Sequence, residues 1–222
     1  MKIEAGGAPA GEQQPAPKLS AFHLTSGRLE AFSDGVFAIA VTLLILNVQV
    51  PATTAPGALP AALFRLWPSY ATYAASFLTI GIMWLNHHGL FSRLARVDRA
   101  LAMLNLVLLM VVAFVPFPTA VLGEHILVPA DAAPAAVFYS ITMLLVAFGF
   151  TGVFVYVARH TELRAHGYAA ADFMSAGPWF LLGTAAYAAC IPLSFYSPPL
   201  VVLVVAAVAV YYVFDRLPGP SH

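Results

Sequence analysis

Long apolar runs broken by short charged connections dominate the chain. Residues 66–92, 100–123, 132–158 and 173–214 contain no Asp, Glu, Lys or Arg. A helix crosses a hydrocarbon core of about 30 Å with about 20 predominantly apolar residues, so every one of these runs is long enough to span. The last, at 42 residues, is long enough for two passes, divided by the turn-forming Ser194-Phe195-Tyr196-Ser197-Pro198-Pro199. A further run over residues 35–50 brings the total to six, and six passes return the chain to its starting side. The spacing predicts spans over residues 28–50, 66–88, 100–122, 135–158, 173–194 and 199–214, joined into one all-α helical membrane domain over residues 28–216. Pro116-Phe117-Pro118 withdraws backbone donors in the outer third of the third span and predicts a kink there.

Composition fits this reading, with 61% hydrophobic and only 9% charged residues, against about 25% charged in a soluble domain. The formal net charge of zero hides a segregation. Lys2, Lys18, Arg28, Arg93, Arg96, Arg99, Arg159, Arg164 and Arg216 fall on one side of the threading and only Arg65 on the other. The positive-inside rule therefore puts both termini in the cytoplasm. Trp67, Tyr70 and Tyr73 near one end of the second span and Trp84 near the other form the aromatic pattern of membrane interfaces. Residues 1–27, rich in Ala, Pro, Gly and Gln, are expected to be a disordered cytoplasmic tail with no signal-peptide core, and residues 217–222 a short cytoplasmic one. Cys190 is the only cysteine, so it forms no intrachain disulfide. Nothing in the charge pattern points to a nucleic-acid partner; membrane lipid is the expected surrounding.

The first span carries the most informative polar residues. It opens Arg28-Leu29-Glu30-Ala31-Phe32-Ser33-Asp34-Gly35 and then turns apolar. Residues 35–50 reach only about 24 Å as a helix, which draws Ser33 and Asp34 to the edge of the hydrocarbon. Arg28 and Asp34 lie on different faces of one helix, so their partners are expected from other helices, with His87, His88, Asp98 and Arg99 the candidates. Helix capping by Ser33 and Asp34 is the plainer alternative. Beyond Gly35, Ile39, Leu43 and Leu46 recur at spacings of four and three and form one stripe, with Thr42 beside it. Periodicity alone reads such a stripe as packed or lipid-facing. Trp84-Leu85-Asn86-His87-His88 invites a metal reading, but adjacent histidines point about 100° apart on a helix, whereas paired ligands need i, i+4 spacing. No metal site, cofactor or catalytic residue is expected, and no GxSxG, P-loop or dinucleotide-binding glycine motif occurs.

The string Arg28-x-x-x-Phe32-Ser33-Asp34-Gly35, continued as Val36-Phe37-Ala38-Ile39-Ala40-Val41-Thr42-Leu43-Leu44, resembles the bacterial branch of the transmembrane protein 175 family of potassium channels. Trp84-Leu85-Asn86-His87-His88, Arg96-Val97-Asp98-Arg99 and Phe114-Val115-Pro116-Phe117-Pro118-Thr119 resemble it too. The match covers residues 28 to about 123, the remainder by span count. The resemblance implies a six-helix subunit in a homotetramer in a bacterial cell membrane, with the first span of each subunit lining a central pore for potassium. It maps the constriction onto Ile39, Leu43 and Leu46, with Thr42 an adjacent hydroxyl ring, in place of a carbonyl filter; TVGYG is absent. The stripe found by spacing and the face implied by the resemblance coincide. Arg28, Ser33, Asp34, Asn86, His87, His88 and Asp98 are expected to form a structural polar network at the base of the pore helix. Two other classes remain: a proton-coupled transporter or proton pathway built on Asp34, His87 and His88, and a metal-dependent membrane enzyme.

Overall fold

The computed structural model describes residues 25–52, 55–166 and 170–213. Of the expected tails only Thr25, Ser26 and Gly27 are among them, and these open the first helix; the rest lies outside the described residues. The helices are α1 (Ser26–Leu43), α2 (Leu59–Arg65), α3 (Trp67–Phe91), α4 (Arg99–Phe114), α5 (Pro116–His125), α6 (Ala132–Arg159), α7 (Ala170–Leu193) and α8 (Pro198–Tyr211). Leu44–Asn47 continue α1 as a 3-10 turn. No strand occurs among the described residues; a single antiparallel bridge joins Leu94 to Arg164.

Local chemistry sets the boundaries. The side chain of Asp98 accepts the Leu101 amide at 2.7 Å and starts α4. Proline stands in the first turn of α2, α3, α5 and α8, where a missing N–H is not needed. The kink expected at Pro116-Phe117-Pro118 is a break at Val115, whose amide drops back to the Val112 carbonyl at 3.1 Å before α5 begins. The seven-residue α2 was not foreseen; its proline-flanked sequence reads as a connection.

Six helical rods lie along the stretches where spans are expected: α1 with its 3-10 turn, α3, α4 with α5, α6, α7 and α8. By length and composition, Ser26–Asn47, Arg99–His125 and Ala132–Arg159 are apolar enough to cross a membrane. In α3, 25 residues long, the hydroxyls of Ser69, Thr72, Ser76 and Thr79 and the polar Asn86-His87-His88 dilute the apolar character.

In lipid the hydrophobic effect does not drive helices together, so close packing and interhelical hydrogen bonds hold the bundle. α6 packs on α4, α5 and α7, while α3 packs on α1, α5 and α8. Leu101, Leu108 and Val112 of α4 are buried, as are Ala136, Met143, Val146 and Val153 of α6. Gly149 lets α6 approach Leu108 so closely that a Cβ there would lie 2.9 Å from its Cδ1. Gly123 brings α5 against α3 in the same way, where a Cβ would lie 2.6 Å from Thr72 Oγ1. At one end of the bundle the loops after α3 and α6 pair, the Ala95 amide donating to the Leu163 carbonyl and the Ala165 amide to the Arg93 carbonyl, both at 2.9 Å. That end gathers Arg93, Arg96, Arg99, Arg159 and Arg164.

Candidate functional site: the two faces of the first helix

α1 rests on α3 and α4 through a stripe one helical turn apart: Leu29, Ser33, Phe37, Ala40 and Leu44 are buried. The opposite face is open in the single chain. Ile39 is 60% exposed, Leu43 41% and Leu46 69%, and Thr42 is exposed beside them. At 100° per residue, Arg28, Gly35 and Ile39 share the centre of this open arc, and all three are exposed. Leu44, next to Leu43 in sequence, is fully buried. The Thr42 hydroxyl donates back to the carbonyls of Ala38 and Ile39, at 2.9 and 3.0 Å. With its proton engaged, its oxygen keeps lone pairs available to whatever occupies the open side.

The buried face is held by a polar chain across three helices. Ser33 Oγ donates to the Leu29 carbonyl at 2.8 Å and accepts from Asn105 Nδ2 of α4 at 2.9 Å. Asn105 Oδ1 lies 2.8 Å from His87 Nε2 of α3. An amide oxygen only accepts, so His87 carries its proton on Nε2, and Nδ1 is left without a hydrogen-bond partner. Ser33, Asn105 and His87 are fully buried. The His87 ring stacks on Phe91 with centroids 4.1 Å apart and tilts against Phe37 at 5.3 Å.

Trp84 Nε1 donates to Asp34 Oδ1 at 2.8 Å, and, nearer the arginine-rich end, His88 Nδ1 meets Glu30 Oε1 at 2.6 Å. Both contacts fasten α1 to α3. Asn86 Nδ2 donates to the Ile82 carbonyl at 2.9 Å and to the Tyr212 carbonyl at 3.2 Å, which secures the end of α8. Besides capping α4, Asp98 accepts the Tyr156 hydroxyl at 2.6 Å, which ties α4 to α6. Ser33 and His87 are thus joined, though only through Asn105. Asp34, His88, Asn86 and Asp98 each have a separate partner, and Asp34 bonds with none of the four residues considered from the sequence. Arg28 is exposed. Sequence reasoning passed over Asn105, although it and Thr119 are the only polar side chains in the uncharged run 100–123; that isolation was the available signal. Among the described residues no three His, Cys, Asp or Glu side chains converge as metal ligands.

Residues 28–116 match the sequence profile of a family described as the endosomal/lysosomal potassium channel TMEM175. A potassium channel of Streptomyces collinus is 47% identical over 197 residues, which cover 89% of this chain and 96% of that one. The human endosomal/lysosomal proton channel TMEM175 is 40% identical over 101 residues, 42% of this chain and 20% of its own. In three dimensions the chain is similar to the crystal structure of a homologue of the lysosomal potassium-selective channel TMEM175 from Chamaesiphon minutus. The TM-score is 0.76 at 39% identity, covering 85% of this chain and 96% of that one.

Proposed function

The chain belongs to the TMEM175 family of ion channels, and from that premise we propose that it is a potassium-permeable channel whose pore is lined by α1 of four identical subunits. It is an integral membrane protein and a cation channel; the lining, the constriction and the fourfold assembly are our reading. The observation that carries it is the division of α1 into a buried stripe, fastened by Ser33, Asn105 and His87, and an open apolar arc of Ile39, Leu43 and Leu46. Four copies around an axis would turn each open position into a ring of four.

Aliphatic rings offer an ion no replacement for its hydration shell, so the more weakly hydrated potassium ion crosses more readily than sodium. Ile39 is the narrowest ring in this reading. Thr42, whose hydroxyl proton is already given to the backbone, presents a ring of acceptor oxygens to the water that the ion retains. Asp34, Glu30 and the histidines act behind the pore, fastening α1 to α3, and Arg28 stands ready for a neighbouring subunit. In this reading both termini lie in the cytoplasm, and what supports it is that Arg28 and the arginine-rich loops share one end of the bundle.

A proton pathway along Asp34, His87 and His88 finds less support. Among the described residues no hydrogen bond joins the three: Asp34 is engaged by Trp84, His87 by Asn105 and His88 by Glu30. Purified protein in a planar bilayer, with potassium on one side and sodium on the other, tests the proposal. Discrete current steps that reverse at a potential favouring potassium are expected. Slow saturable flux without unitary steps would replace the channel with a transporter.

A further inference from the structure

The end of α1 far from Arg28 changes geometry where the apolar arc reaches its last ring. In an α-helix Leu46 would sit about 60° round the axis from Leu43, but in 3-10 geometry positions i and i+3 eclipse. The 3-10 turn Leu44–Asn47 therefore brings Leu46 over Leu43, on one line facing the open side. The same tightening swings Asn47 by about 80°, toward the buried side of the helix. There Asn47 Nδ2 donates to the carbonyl of Pro116 at 2.8 Å. Pro116 is the first residue of α5, at the break that the missing proline donors make in the α4–α5 rod. α5 is fixed in turn less than one turn further along, where Thr119 meets Ser76 of α3 at 3.0 Å and Ser76 meets Tyr139 of α6 at 3.1 Å, all three buried. A second, exposed tie runs from Gln49 Nε2 to Glu124 Oε1 at 3.3 Å.

We propose that Asn47 is a positioning residue for conduction: its bond to Pro116 selects the 3-10 turn and so keys the Leu46 ring onto the line of Leu43. This rests on α1 lining the pore. Asn47 touches no ion; it acts through Leu46, and α5 is the strut against which it acts. Replacing its amide with an apolar group of similar size removes the donor and lets the turn relax to α geometry, rotating Leu46 off the line.

The test uses the assembled channel with Cys190 replaced and one cysteine placed at Ile39, Leu43 or Leu46, and reads the rate of current block by silver ions. In an Asn47→Leu background α geometry turns position 46 from the line of Leu43 toward that of Ile39 and the centre of the open arc, so its rate is expected to rise by about fivefold, the shift that loss of one neutral hydrogen bond confers on a local equilibrium, with the rates at 39 and 43 unchanged. A general loosening of the fold would alter all three. Asn47→Ser, whose hydroxyl is too short to reach Pro116, is expected to do the same and serves if the leucine variant does not assemble. Unchanged or slower block at position 46 in either variant overturns the role of Asn47. If cysteines at 39 and 43 are inert in the parent channel, it is instead the lining by α1 that fails.

Discussion

Replacing both ends of the buried His87–Asn105 bond tests how the pore helix is anchored, because the double change is expected to cost less than the two single changes together. Asn105→Leu removes the acceptor for His87 Nε2–H and leaves that donor in an enclosed site between Phe91 and Phe37. Ser33 loses little by the change, since its own proton goes to the Leu29 carbonyl. His87→Phe keeps a flat ring on Phe91 but strands the Asn105 oxygen. Interhelical hydrogen bonds in membrane proteins are worth about 0.6 kcal/mol on average and up to about 1.7, and orphaning a buried polar group costs about 1–3 kcal/mol. With His87, Asn105 and Ser33 all fully buried, each single variant is expected to lose about 1–2 kcal/mol. The double variant, with no orphan at that bond, is expected to lose less than the sum by about 1 kcal/mol or more. Cys190 supplies the assay: it is the only cysteine and fully buried, so its reaction with a thiol-specific dye during detergent unfolding reports the folded fraction. Strict additivity, or two silent single variants, would refute the claim that this bond anchors α1.

Three further outcomes follow from the same geometry. Arg28→Ala and Asp34→Ala are expected to lower the yield of assembled tetramer on size exclusion, because Asp34 fastens α1 to Trp84 and, in the proposed assembly, the exposed Arg28 meets a neighbouring subunit; normal assembly and conduction in both would remove these residues from the scaffold. Reporter fusions after Leu59 and at Ser221 are expected on opposite sides of the membrane, and a shared side would break the six-span threading. Gly123→Ala places a Cβ 2.6 Å from Thr72 Oγ1 and 3.3 Å from the Ser69 Cα, so it is expected to cost about 1–3 kcal/mol in the dye-reaction assay.

The helical rods were legible because uncharged runs of spanning length leave little choice of conformation in lipid, and the break at Pro116 because proline has no donor to give. The open face of α1 was legible as a stripe at Ile39, Leu43 and Leu46, though spacing alone does not say what such a stripe faces. Contacts set by tertiary approach were not legible: Asp34 and Trp84 stand fifty positions apart, and nothing local selects Trp84 over the nearby histidines. The 3-10 turn at Leu44–Asn47 was hidden for the same reason, since its sequence suits an α-helix and the Pro116 carbonyl that favours the tighter turn belongs to another helix. α2 was missed because its seven residues are too few to show a period.

The most direct test of the account is the pattern of block along α1. With Cys190 replaced, cysteine at Ile39 or Leu43 is expected to make the channel susceptible to silver ions or small thiol reagents from the aqueous phase. Cysteine at Leu44, about 100° round the helix from Leu43 and fully buried, is expected to leave current untouched. Current through the Leu44 variant that is blocked, with the Ile39 and Leu43 variants conducting undisturbed, would contradict a pore lined by this face of the helix.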